Sequence, residues 1–463
     1  MRFALFLSAT ALTLFLSPVP AHAASNAEVE SLRQSIEELK QDYESRIRAL
    51  EQRLEAAEQS QAPARQQAET APPAQATSAP RSEAGSGNNA FNPAFSLILQ
   101  GTYADYSVQD HAEIPGFLLG GETEFRPEGL SLRETELNAE ANVDSWLRAW
   151  TTIGFEEEDG ETHVHLEEAY GETLSLPGGL GLKFGRFFSD IGYQNRQHNH
   201  GWDFVDAPLP YRAMLANQLG ADGLQLRWLA PTDLFIELGG EISRGNFPAG
   251  GEDQDDINLY TLFARTGGDI GTNASWRIGL SHVGADADGR ESGEHDSDEV
   301  FLFDGRSDLY IADLVIKWAP DGNPARQHLI YQSEFFYRTE DGSVTFDDGA
   351  GTTVNSNYDG EQNGFYSQLI WQFMPRWRTG LRYDRLWTDN DLDNAGGGEF
   401  DVLANVNEDN PQRWSWMADY SPSEFSRFRL QYNRDESRPM EEADDQLLLQ
   451  YILSIGSHPA HEY

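Results

Sequence analysis

From Phe91 onward the chain repeatedly alternates apolar and polar residues with a period of two. In SRFRLQYNR, Phe428, Leu430 and Tyr432 fall on one side, while Arg427, Arg429, Gln431 and Asn433 fall on the other. The same alternation runs through GLSLRETELNAEANV, LFIELGGEIS, HLIYQSEFFYR, FYSQLIWQF, RWRTGLRYDRLW, QRWSWMADY and DQLLLQYILSI. Successive strand residues point to opposite faces, so each run reads as a strand with one greasy and one polar side.

The connections sort into two classes. NVDS, LPGG, APTD, TGGDIGTN, APDGNPA, MPR and SPSE are tight and rich in turn residues. Between them lie FEEEDGE and the long stretches 108–128, 189–223, 244–256, 284–306, 339–361, 388–410 and 435–445. A soluble sandwich keeps its turns similar at both ends. This asymmetry instead predicts an all-β membrane protein, an antiparallel transmembrane β-barrel of about 16 strands with short periplasmic turns and long outer loops. Trp228, Trp318, Phe373, Trp377, Tyr420 and Phe425 fall beside the tight turns, where an aromatic girdle would meet the inner membrane boundary.

The segment before the barrel reads as three parts. Residues 1–23 have the charged start, apolar middle and Ala21-His22-Ala23 end of a secretory signal peptide. Residues 24–59 form an α-helical coiled coil: Val29, Leu32, Ile36, Leu39, Tyr43, Ile47, Leu50, Leu54 and Ala57 make one narrow stripe with a stutter at Tyr43. So thin an apolar face on a lone helix is marginal in water, so a homotrimer through residues 26–59 is the simplest expectation. Residues 60–90 are a Pro, Ala, Ser and Gln linker, and 91–463 are the barrel. An even strand number places both barrel ends, and so the coiled coil, in the periplasm.

The chain has no cysteine, so a metal would need histidine and carboxylate. Its formal charge of -43 repels nucleic acid and favours cations. There is no G-x-S-x-G elbow and no phosphate-binding glycine loop, and the chain is not expected to be an enzyme.

The barrel resembles the general porins of bacterial outer membranes. From NPAFSLILQGTYADY to QYILSIGSHPAHEY, and above all in HNHGWDFVDAPLPYR, the chain also resembles outer-membrane proteins labelled zinc-regulated TonB-dependent receptors. That resemblance implies an outer-membrane location, contact with outer-membrane lipid and a link to zinc supply. A plug domain and the roughly twenty-two strands of receptor barrels have no counterpart here, so dependence on TonB is not expected.

By strand count HNHGWDFVDAPLPYR lies in the third long loop. In the porins that the chain resembles, this loop folds into the channel and makes its narrowest part. His198, His200, Asp203 and Asp206 are then the candidate constriction and metal residues, since imidazole and carboxylate suit zinc. The same stretch also suits plain loop packing, with Trp202, Phe204 and the prolines inside and the aspartates paired with arginine. A weaker metal set is His163, His165 and Glu167, which alternate on one strand, with Glu168 expected to point outward. Arg378, Arg382, Arg427 and Arg429 are expected to line the lumen. No cofactor is required beyond transient Zn2+ or another divalent cation.

These readings predict a channel for passive uptake of small solutes that favours divalent cations and zinc among them. Two alternatives remain at this stage: a tether between outer membrane and cell wall, and an energised TonB-dependent zinc receptor.

Overall fold

A computed structural model describes residues 93–456, apart from 109–113, 119–127, 133–134, 159–160, 246–247, 252–255, 293–299, 394–399, 401–402, 404–409 and 438–442. The expected signal peptide, coiled coil and linker lie outside the described residues.

The strands are β1 (Ala94–Tyr106), β2 (Gly129–Ser131), β3 (Thr135–Asn142), β4 (Leu147–Glu158), β5 (Glu161–Thr173), β6 (Leu180–Phe188), β7 (Gly220–Leu229), β8 (Phe235–Arg244) and β9 (Ile257–Ile270). They continue as β10 (Ala274–Ser292), β11 (Val300–Trp318), β12 (His328–Asp347), β13 (Thr353–Met374), β14 (Trp377–Leu392), β15 (Gln412–Ser423), β16 (Ser426–Glu436) and β17 (Asp444–Gly456). From β3 to β17 each pairs antiparallel with the next, and β1 closes the ring on β17 from Ser96↔Gly456 to Tyr106↔Gln446. β2 and β3 both pair with β1 and are two pieces of one stave, so seventeen strands make sixteen staves.

The burial pattern is that of a water-soluble protein turned inside out. On β14, Leu381 is 54% exposed on the outer face, while its inward neighbour Arg382 is 1% exposed. On β16, Phe428 is 50% exposed beside inward Arg429 at 2%. Gln100, Glu136, Gln225, Glu241, Arg265, Glu334 and Gln362 are likewise buried on the inner wall. Apolar groups on the outside and polar groups within are what a lipid-embedded barrel requires. Among the described residues no helix is long and apolar enough to cross a membrane; the strands do so.

Aromatic pairs mark two levels on the outer surface. Trp377 and Tyr420 stack at 4.6 Å beside the tight turns, and Tyr383 and Trp414 at 4.5 Å six residues further along the same strands.

One expectation changes. The stretches 284–306 and 339–361, read as loops, are largely strand: β10 runs to Ser292, β11 begins at Val300, and β12 and β13 are linked by 348–352 alone. In these extensions Phe301, Phe303, Val344, Phe346 and Tyr358 are buried and pack together in an apolar cluster of their own, so the pattern of polar inside and apolar outside ends while the ladder continues. The lumen is apolar in part. The loop between β6 and β7 enters it and forms helix α1 (Leu209–Leu215), all of whose residues are buried. Leu209, Tyr211, Met214 and Leu215 pack with inward-facing Phe336, Tyr366 and Leu386 in one apolar cluster. The wall turns apolar where the loop presses against it.

Candidate metal and constriction site in the lumen

The third loop leaves β6 at Phe188 and returns to β7 at Gly220, crossing the lumen in between. On one side Asn199 accepts from Gln100 of β1. Further round, Ser189 donates to Glu241 of β8 at 2.5 Å, and Asp190 accepts from Arg265 of β9 at 2.9 Å. Glu334 of β12 takes the backbone amides of Tyr193 and Gln194, each at 3.1 Å, and the Tyr211 hydroxyl at 2.9 Å. Burial and the Glu334 carboxylate push the Tyr211 hydroxyl well above its ordinary pKa, so it stays a donor.

Gly192 permits this seating. Its φ of 56° lies in the left-handed region, and a Cβ there would run into the Glu334 carboxylate and the Tyr211 hydroxyl.

The four residues foreseen as one constriction set divide into two groups. Asp203 pairs with Arg378 at 2.8 Å. Asp206 pairs with Arg382 at 2.7 Å and Arg413 at 3.0 Å, and also accepts from Gln431 and Asn433. Burial alone would raise the Asp206 pKa, but Arg413 and Arg382 hold it well below the usual carboxylate range. These aspartates therefore fasten the loop to β14, β15 and β16 and are already engaged by guanidinium groups. Arg429 completes this face by donating to the Trp202 carbonyl at 2.8 Å, and Arg427 stands two residues before it on the same strand face. Arg378, Arg382 and Arg429 are thus under the loop, joined to it and to Asp384 and Asp419 of the wall.

The histidines go elsewhere. His200 Nδ1 lies 2.7 Å from Glu136 Oε1, and His198 Nδ1 lies 3.4 Å from Glu136 Oε2 and 3.0 Å from Glu167 Oε2. The other His198 nitrogen, Nε2, lies 2.9 Å from Glu168 Oε2. The two imidazoles stack with centroids 5.7 Å apart. His165 Nε2 stands 3.6 Å from Glu167 Oε1. Burial would lower the His198 pKa, but Glu136, Glu167 and Glu168 outweigh it and hold it well above its usual value.

Glu168 does not point outward as alternation predicts. Thr152 pairs with Glu168 but Ile153 with Leu166, so Glu167 is an extra residue in β5. This β-bulge turns both Glu167 and Glu168 toward the loop. Gly154 on β4 supplies the room, because a Cβ there would meet His165 and Glu167. His163, one of the foreseen ligands, is exposed and pairs in register with Glu156, away from the cluster. Glu136 was missed. Its only sequence signal is its place in RETELNAEAN, alternating with outward Leu137.

No family model matches the chain. It is 32% identical over 406 residues to an uncharacterized protein of Aquifex aeolicus (strain VF5), covering 81% of this chain and 80% of the relative. Among solved structures it is similar to the outer membrane channel DcaP of Acinetobacter baumannii, with 11% identity, 80% of this chain and 100% of that one covered, and a TM-score of 0.47. It is also similar to the trimer form of OmpT from Vibrio cholerae, with 9% identity, 79% and 100% covered, and a TM-score of 0.45.

Proposed function

The chain belongs to the same family as the Aquifex aeolicus protein, and we propose that it is a porin-type channel of an outer membrane, for passive uptake of small solutes with divalent cations, zinc foremost, favoured. The observation that carries this reading is a hydrophilic barrel wall crossed by a loop that is bonded to it on many sides. A barrel serving only as an anchor has no use for a polar interior with a shaped obstruction. The charge of -43 raises the local cation concentration at the mouths. Within the lumen, arginines on β14 to β16 and carboxylates on β3 and β5 face the same loop from different sectors of the wall, so a permeating ion crosses a transverse field.

The zinc preference draws its support from His198 and His200, which meet carboxylates of the wall where the loop touches it. A homotrimer through residues 26–59, with that coiled coil in the periplasm, completes the proposal.

Planar-bilayer conductance with reversal potentials in zinc and magnesium salts tests it. The parent should conduct and discriminate between the two salts, and His198→Ala/His200→Ala should lose that discrimination. A parent without conductance in any salt overturns the channel. Deleting residues 26–90 should leave conductance intact and abolish the trimer. Loss of envelope integrity with conductance unchanged favours a tether, and zinc uptake that needs the inner-membrane energy source favours a receptor.

A further inference from the structure

We infer that Glu136, Glu167, His198 and His200 form a binding site for one divalent ion of the zinc class, and that Glu168 orients His198 within it. This deepens the channel reading and rests on it only in that the loop so fastened is the constriction.

Four observations converge. The first is proximity: donor atoms of Glu136, His198 and His200 all lie within 4.8 Å of one another, and Glu167 Oε2 is 3.0 Å from His198 Nδ1. A four-coordinate ion with bonds of about 2.0–2.2 Å draws its donors from such a space. The second is burial: the Glu136 and Glu167 side chains are 0% and 6% exposed, His198 14% and His200 9%. The third is incompletely met polarity: Glu136 Oε2 and Glu167 Oε1 are buried and make no hydrogen bond, each having only a longer ion-pair contact, to His198 at 3.4 Å and to His165 at 3.6 Å. Burying a carboxylate oxygen without a hydrogen bond is costly, and an ion removes that cost. The fourth is charge: three carboxylates surround two imidazoles, and the ion pairs described for Glu136, Glu167 and Glu168 are with histidine.

Both His198 nitrogens face carboxylates, Nδ1 at 3.0 Å from Glu167 and Nε2 at 2.9 Å from Glu168, and a bound ion would displace the Nδ1 proton. With the ion in place Glu168 would accept the Nε2–H of His198, and the Nδ1 lone pair, on the side of Glu136 and Glu167, would be the ligand. A carboxylate on the far nitrogen of a ligating imidazole is the usual outer partner of a zinc histidine. Two nitrogens with carboxylate oxygen select zinc and its neighbours over magnesium and calcium, which prefer all-oxygen sites. Because Glu136 is on β3, Glu167 on β5 and both histidines on the loop, a bound ion joins three separate chain segments and fastens the loop to the wall.

The test is equilibrium zinc binding to the purified full-length protein in detergent, read by competition with a chromophoric chelator. One zinc per chain is expected, undisturbed by a hundredfold excess of magnesium or calcium. His198→Ala/His200→Ala should weaken binding at least about 100-fold, Glu168→Gln about 10–100-fold with every direct ligand retained, and His163→Ala should bind as the parent does. Heat-modifiable gel migration identifies folded barrels, and only folded variants are compared. A folded parent that takes up no zinc at micromolar concentration, a double variant that binds as the parent, or displacement by equimolar magnesium overturns the site. Zinc binding without conductance keeps the site and removes the channel; conductance without zinc binding removes the site alone.

Discussion

Asp206 and Arg413 meet at 3.0 Å, tying the third loop to β15 across 207 residues of sequence. The other carboxylate oxygen takes Arg382 at 2.7 Å. Asp206→Ala takes the loop carboxylate from both nearly buried guanidinium groups and leaves each only a loop carbonyl, Asp206 O for Arg382 at 2.9 Å and Ala207 O for Arg413 at 2.6 Å. Breaking a pair of this kind from one side costs about 3 kcal/mol. That loss falls on docking of the loop, because Arg382 and Arg413 retain Asp384 on the wall. The variant should keep its folded barrel, conduct more than the parent, and be cleaved faster by protease between residues 189 and 219. Conductance and cleavage equal to the parent would refute the fastening role.

Acid should release the same loop. Asp206 faces Arg382, Arg413, Gln431 and Asn433, while Asp190 faces Arg265, Arg196 and Glu241. Burial would raise the Asp190 pKa, but Arg265 and Arg196 hold it, like that of Asp206, below the ordinary range. A depressed carboxylate contributes stability that is fully present above its unfolded pKa and is lost as pH falls toward its folded one. The contribution of these two aspartates to loop docking should therefore be constant near neutrality and be lost from about pH 4 downward. Single-channel conductance recorded from pH 7 to pH 3 should show the rise only at the acid end, and its onset should move to higher pH in a variant with weaker docking.

Gly192→Ala addresses another sector of the wall, at β10 and β12. A left-handed backbone costs alanine about 1–2 kcal/mol, and the new methyl meets Glu334 and Tyr211, whose contacts hold the loop start. The expected result is a shifted loop in an intact barrel, read as faster cleavage at Ser189–Asn195 with unchanged heat-modifiable migration. Serine should behave like alanine, because the obstruction is the Cβ.

The barrel was legible in the sequence because lipid on one side and polar surroundings on the other impose period two, as SRFRLQYNR shows. The tall hairpin of β12 and β13 was not, since around Asp341, Asp347 and Asn357 the buried apolar residues are few, Val344, Phe346 and Tyr358, and are spaced among polar and turn-forming ones. The histidines of the cluster stood out through their spacing. Their partners did not: Glu168 reaches the cluster through a bulge at Glu167, and one added residue reverses the face that alternation assigns. The aspartates were read with the histidines because they are neighbours in sequence. Their partners are arginines of β14 and β15, and only the closed barrel brings those staves to the loop.

Placement in lipid itself makes a sharp prediction at Leu381. Its side chain is 54% exposed on β14, between the Trp377–Tyr420 and Tyr383–Trp414 levels, and directly opposite Trp416 of β15. On a water-soluble surface Leu381→Arg would change stability by less than about 0.5 kcal/mol. Facing hydrocarbon, arginine should cost about 2–4 kcal/mol near the midplane, falling toward 0–1 at the interfaces. Trp416→Arg should cost a similar amount, while exposed Arg434→Ala, among the charged groups beyond the Tyr432 level, should cost little. Denaturant titration of folding into phospholipid vesicles measures all three. Equal stabilities for Leu381→Arg and the parent would place this face in water and remove the membrane from the account of the fold.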